Sequence, residues 1–114
     1  ILSLLQNCKK YDVPYEKIVE KIAHNPAIIF KVNNRGFIRK GYFADIVLID
    51  TNTPTIVTKD SLLYKCGWSP FEGQKFDNSI YKTILNGNVV YEDGKVNSIP
   101  YGKKITFNRW KNIY

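Results

Sequence analysis

The stretch Gly36-Phe37-Ile38-Arg39-Lys40-Gly41-Tyr42-Phe43-Ala44-Asp45-Ile46-Val47-Leu48-Ile49-Asp50 decides the fold. Its second half, Ile46 to Ile49, is an unbroken run of β-branched residues plus a leucine, closed at both ends by aspartate. A short apolar run bounded in this way predicts a strand buried on both faces, a central strand for the chain's other strands to pair with. Gly36 and Gly41 punctuate the approach, and each predicts a positive φ or a close backbone contact. Asp45, at the mouth of the strand, is placed to accept backbone N–H bonds from the preceding turn, which suits its position better than a catalytic role.

Upstream, Leu2, Leu5 and Cys8 fall on one face at the helical period from the first residues onward. After a turn at Tyr11-Asp12-Val13, Pro14 suits the first position of a second helix, with Glu16 and Glu20 toward its positive end. Ile18, Val19, Ile22 and Ala23 form its apolar stripe. His24-Asn25-Pro26 should end that helix, because the residue before a proline is pushed out of helical geometry. Asn25 then caps a short helix carrying Ala27, Ile28, Ile29 and Phe30. His24 stands alone at a helix end and reads as a cap or hydrogen-bonding residue rather than a metal ligand or general base. Asn33 to Gly36 form a turn cluster, and Phe37-Ile38 a brief strand.

Downstream, Thr51 to Pro54 turn, Thr55 to Thr58 alternate as a short strand, and Asp60 or Ser61 could cap a helical turn through Leu62, Leu63 and Tyr64. An irregular loop from Cys66 to Phe76 has Trp68, Pro70, Phe71 and Phe76 as its expected anchors onto a core. Ser79 to Leu85 and Asn88 to Tyr91 are joined through Asn86-Gly87, a strong short-range hairpin signal because both residues tolerate positive φ. Glu92 to Lys95 make a second tight turn, returning as Val96. The tail holds Tyr101, Ile105, Phe107 and Trp110, with Ile105 and Phe107 on one strand face.

The chain of 114 residues is one domain's worth, and its 44% hydrophobic and 14% aromatic content argues for a folded chain. No apolar run approaches a membrane span and nothing at the start reads as a signal peptide, so the cytoplasm is the default compartment. The net charge of +7 invites a nucleic-acid reading, yet the 17 Lys and Arg are scattered singly or in pairs, the pattern of a solvated surface. Cys8 and Cys66 lie far apart with no metal-ligand spacing around them and read as free thiols. Ser69 has no nucleophile-elbow context, and no glycine-rich loop resembles a phosphate cradle.

The pattern carried by Gly36, Ile38, Gly41, Ala44, Asp45 and the run to Asp50 resembles the segment that closes the cyclic amidohydrolases. The Asn25-Pro26-Ala27 triplet and the Asn86-Gly87 hairpin fit the same superfamily, and Lys65 to Gly73, containing Trp68-Ser69-Pro70-Phe71, is similar to dihydroorotases of the longer bacterial type. The resemblance implies an α+β fragment. Residues 1–32 would be the terminal helices of a TIM-type barrel, and 33–114 a β-sandwich part with the 65–76 loop. Gly36, Gly41, Ala44, Asp45, Trp68, Ser69, Pro70, Phe71, Asn86 and Gly87 would be structural motif residues, with no catalytic, cofactor or metal-binding residue among them.

It also implies a parent enzyme that uses zinc to interconvert carbamoyl aspartate and dihydroorotate in pyrimidine synthesis. A zinc-activated water needs three or more converging ligands, and this chain has one histidine, so the ligands would lie upstream of Ile1 and this part would be inactive alone. Its implied partner is the rest of the barrel, and in isolation it would self-associate through exposed apolar surface. A reading from another class is a small basic β-rich module that binds nucleic acid or a protein; the placing of most aromatics in the loop and tail argues against it.

Overall fold

The computed structural model describes residues 1–108; Trp110, assigned above to the tail, lies outside them. Helix α1 (Leu2–Tyr11) buries Leu5 and Cys8, the face expected from their period. It stops at Asp12, whose left-handed φ of 53° lets the Val13 N–H reach back to the Cys8 carbonyl at 2.9 Å. Pro14 stands just before α2 (Tyr15–Val19) rather than inside it, with ψ 139°.

The expected break at His24-Asn25-Pro26 does not occur. From α2 the chain runs through a π-helical turn, Glu20–His24, straight into α3 (Asn25–Ile29), with His24 and Asn25 both in right-handed helical geometry. The Asn25 N–H donates to the Glu20 carbonyl five residues back. This wider turn accommodates the proline ring, and Pro26 has no N–H to leave stranded. Asn25 is therefore not a cap.

The segment between α3 and the first strand has no regular structure, and the brief strand expected at Phe37-Ile38 is absent. The main sheet then forms from β1 (Ile46–Asp50), β4 (Ser79–Leu85), β5 (Asn88–Glu92) and β6 (Lys95–Val96), all antiparallel in the order β1-β4-β5-β6. Bulges opposite Leu48/Ile49 and at Thr83/Ile84 shift the register along β4. A two-stranded ribbon pairs β2 (Thr55–Ile56) with β3 (Lys75–Phe76).

Two expectations need correction. Strand β1 exists where the sequence places it, but it is an edge strand among the described residues, not a central one, and Val47 (43%) and Leu48 (40%) are exposed. Apolarity on both faces records what a strand is built to contact, and nothing within these residues supplies that second contact. The helical turn near Leu62 comes earlier, at Lys59–Ser61, where Thr58 holds the cap and its N–H donates to Ser61 Oγ at 3.0 Å.

Among the described residues the tail makes a single bridge, Val32 to Phe107, flanked by the Asn33 N–H to Thr106 carbonyl bond. It does not form the expected strand carrying Ile105 and Phe107. The core is small: Leu5, Cys8 and Ile18 pack together with Ile49 of β1 against them, so the helices are fastened to the sheet at its edge. Val19 and Ile22, the rest of the α2 stripe, stay 46% and 45% exposed.

Candidate functional site

Two sequence motifs 41 residues apart meet in space. The turn before β1 and the hairpin between β4 and β5 interlock: the Gly87 N–H donates to the Ala44 carbonyl at 3.0 Å, and the Asn86 N–H donates to Asp45 Oδ1 at 2.8 Å. Asn86 and Gly87 sit at φ 50° and 83°, the pair of left-handed residues that a tight two-residue hairpin requires. Asp45 accepts one backbone N–H bond, and from the distant hairpin rather than from its own preceding turn. The carboxylate thus fixes a tertiary contact.

Arg35 completes this clasp. One arm of its guanidinium pairs with Asp45 Oδ2, the other donates to Asn86 Oδ1 at 2.7 Å, and its plane lies 4.3 Å from the Phe43 ring centroid. Asn86 Nδ2 in turn donates to the Tyr101 carbonyl, tying down the tail. The Arg35 side chain is 11% exposed, so the charge is held largely away from water and depends on its partners. Arg35 was not singled out from sequence, since an arginine inside a turn cluster carries no pattern that marks it as buried.

Gly36 sits against the helical rod. A Cβ there would fall 2.4 Å from the Ala27 Cβ and 2.8 Å from the Ala23 carbonyl oxygen, and its φ is +82°. Both reasons for a glycine, positive φ and close contact, therefore hold at this position. Gly41 also has positive φ, but open space around it. His24 makes neither a cap nor a side-chain hydrogen bond to the helix; its ring stacks on Phe37 with centroids 4.4 Å apart and planes 8° apart.

The remaining motif residues form a separate group. Ser69 Oγ accepts the Phe71 N–H at 3.1 Å, and Phe71 packs edge-on against Phe76, centroids 5.7 Å apart. Phe76 is the buried anchor expected of this loop. Trp68, in contrast, is 62% exposed and Pro70 is exposed, so neither pins the loop to these residues.

An apolar groove of about 510 Å³ opens between the α2 face and β1, lined chiefly by Val19, Ile22, Phe37, Ile38, Val47 and Ile49. Both cysteines are free thiols, Cys8 buried and Cys66 exposed. Among the described residues no three His, Cys, Asp or Glu side chains come together in a metal-holding group, so these residues do not fit the zinc that the resemblance implies for a parent enzyme. Among the same residues, no helix is long and apolar enough to cross a membrane.

Residues 1–90 match the profile of the amidohydrolase family. An allantoinase of Desulfitobacterium hafniense is 39% identical over 92 residues, which are 81% of this chain and 20% of that protein. A dihydroorotase of Pyrococcus furiosus is 35% identical over 102 residues, 90% of this chain and 24% of its own length. Among solved structures, the L-hydantoinase of Arthrobacter aurescens superposes with a TM-score of 0.69 at 28% identity, covering 78% of this chain and 20% of that one. The chain spans about a fifth to a quarter of the length of these curated relatives.

Proposed function

Because the chain belongs to the amidohydrolase family, we propose that it is the non-catalytic C-terminal portion of a dihydroorotase, an enzyme that closes and opens the cyclic amide linking carbamoyl aspartate and dihydroorotate. The observation that carries this reading is the clasp of Ala44-Asp45 with Asn86-Gly87. It joins in space two stretches through which the chain resembles the family. The division at about residue 32, with helices belonging to a barrel and strands to a sandwich, accords with the relatives' roughly four-fold length.

On this reading the portion contributes no catalytic group. Its open groove and the free edge of β1 receive the remainder of the polypeptide, which carries the metal ligands and the general base. What these residues supply is rigidity: the Arg35-Asp45-Asn86 clasp and the close seat of Gly36 on Ala23 and Ala27 fix the angle at which the helices leave the sheet.

Lys65 to Gly73 favours dihydroorotase within the family, whereas the relatives also include allantoinase, so the substrate is what the experiment must decide. The longest polypeptide that contains this sequence in its source should be purified with zinc and assayed against dihydroorotate, allantoin and hydantoin in parallel. Turnover of dihydroorotate well above the other two is expected, with none from the 114-residue chain alone. Preference for allantoin or hydantoin overturns the substrate, and turnover by the short chain overturns the non-catalytic role.

A further inference from the structure

We propose that Asn86 is a site of spontaneous self-modification, at which its side-chain amide closes onto the Gly87 backbone nitrogen and releases ammonia, and that the Arg35-Asp45 clasp holds this reaction off while the fold is intact. Asn86-Gly87 is the one Asn-Gly pair in the sequence. Glycine has no Cβ to hinder approach to its own nitrogen, so this asparagine is the one most open to such closure. In the reaction the Gly87 nitrogen gives up its proton to solvent base and bonds to Asn86 Cγ, and the Cγ–Nδ2 bond breaks as Nδ2 takes a proton from water and leaves as ammonia. Water then opens the succinimide ring at either of its carbonyls, leaving aspartate or isoaspartate at position 86. Water is taken up and ammonia lost in equal number, and no oxidant is needed.

The structure holds each polar group on which that reaction depends. The Gly87 N–H donates to the Ala44 carbonyl at 3.0 Å, which shields its proton from solvent base. Asn86 Oδ1 accepts from Arg35 at 2.7 Å and Asn86 Nδ2 donates to the Tyr101 carbonyl, so the amide is fixed from both ends rather than free to close on the nitrogen. The Asn86 N–H, bonded to Asp45 Oδ1 at 2.8 Å, holds the turn itself. Arg35 also polarises the amide toward attack, but closure needs the reacting atoms in line first, and placement is worth more than one polarising donor. Either product removes the Nδ2 donor to Tyr101 and adds a carboxylate close to that of Asp45, and isoaspartate also lengthens the hairpin backbone by a methylene. Modification therefore loosens the contact that had prevented it.

The test is incubation of the purified protein at mildly alkaline pH, in native buffer and in guanidinium chloride, with peptide mass mapping to read aspartate and isoaspartate at position 86. In denaturant, position 86 is expected to convert ahead of every other asparagine. In the folded protein it should convert about tenfold more slowly or less, since the reaction then proceeds only through the opened fraction of the clasp. In native buffer Asp45→Ala should speed conversion about tenfold, toward the denatured rate, and Asp45→Asn should fall between. Gly73→Ala, at a strained position whose N–H bonds to Val57 and not to the clasp, should stay near wild type. Circular dichroism establishes which variants are folded; should Asp45→Ala not be, Asp45→Asn and the two wild-type rates decide. Three outcomes overturn the proposal: equal rates in folded and denatured wild type, no preference for position 86 in denaturant, or conversion in Asp45→Asn no faster than in Gly73→Ala.

Discussion

Two polar latches join parts of the chain that are distant in sequence, and they differ mainly in how much water reaches them. The first, Arg35 with Asp45 and Asn86, has side chains 11% and 29% exposed across its ion pair. The second ties α1 to the segment between β3 and β4. Gln6 and Asp77 exchange bonds, the Asp77 N–H donating to Gln6 Oε1 at 2.8 Å and Gln6 Nε2 to Asp77 Oδ2 at 3.2 Å, while Lys9 sits 3.3 Å from the same carboxylate. Here the charged partners are 62% and 45% exposed. The contact chemistry is alike, but screening makes the second charge pair nearly worthless, whereas breaking the first strands a guanidinium in a drier site.

The strongest way to break the first latch is to move the segment that carries it. Gly36→Ala forces a Cβ into Ala27 and the Ala23 carbonyl and holds an L-residue at φ +82°. A loss of roughly 3 kcal/mol or more is expected, the sum of left-handed strain and overpacking. Gly73→Ala, at φ +79° but in open space, carries the strain alone and should cost about 1 kcal/mol. Urea midpoints of the two variants measure the difference, and equal losses would show that Gly36 is not a packing contact.

Next comes the charge itself. Asp45→Ala removes the partner of Arg35 and the acceptor of the Asn86 N–H, and should cost about 2–3 kcal/mol. Asp45→Asn keeps an acceptor and should fall between. A double-mutant cycle with Arg35→Ala should return a coupling above about 1 kcal/mol; additivity within error would reduce the clasp to two unrelated contacts.

The elements of this comparison were unequally legible in the sequence. Asn86-Gly87 announced its hairpin because the turn's backbone chemistry is local, and Gly36 announced a constraint for the same reason. Asp45 was legible as a backbone acceptor, but its donor lies 41 residues away, and no local rule supplies such a partner. Arg35 was invisible, since burial of an arginine depends on what the fold brings over it. Pro26 misled because the rule against proline in helices assumes a four-residue hydrogen-bond spacing, and the π-helical turn escapes it. The run Ile46 to Ile49 correctly marked a strand and wrongly a central one; among the described residues β1 is an edge strand, with Val47 and Leu48 still exposed.

The smallest expected effect tests the second latch. Hydrogen bonding by Gln6, and then the Lys9 ammonium, hold the Asp77 carboxyl below its ordinary value of 3.8. A carboxyl depressed on folding adds stability that is present above its unfolded pKa and lost as pH falls through the folded one. Wild type should therefore exceed Asp77→Asn slightly at neutral pH, and the gap should close as the pH falls below 3.8 and through the depressed pKa of the folded state. Roughly 1 M salt should shrink it further, because the Lys9 part of the contact is screened. Thermal melts of the pair from neutral to acid pH measure this. A gap as large as that of Asp45→Asn, or one that persists unchanged in acid, would mean that exposure does not set the worth of these latches, and the contrast between them would fail.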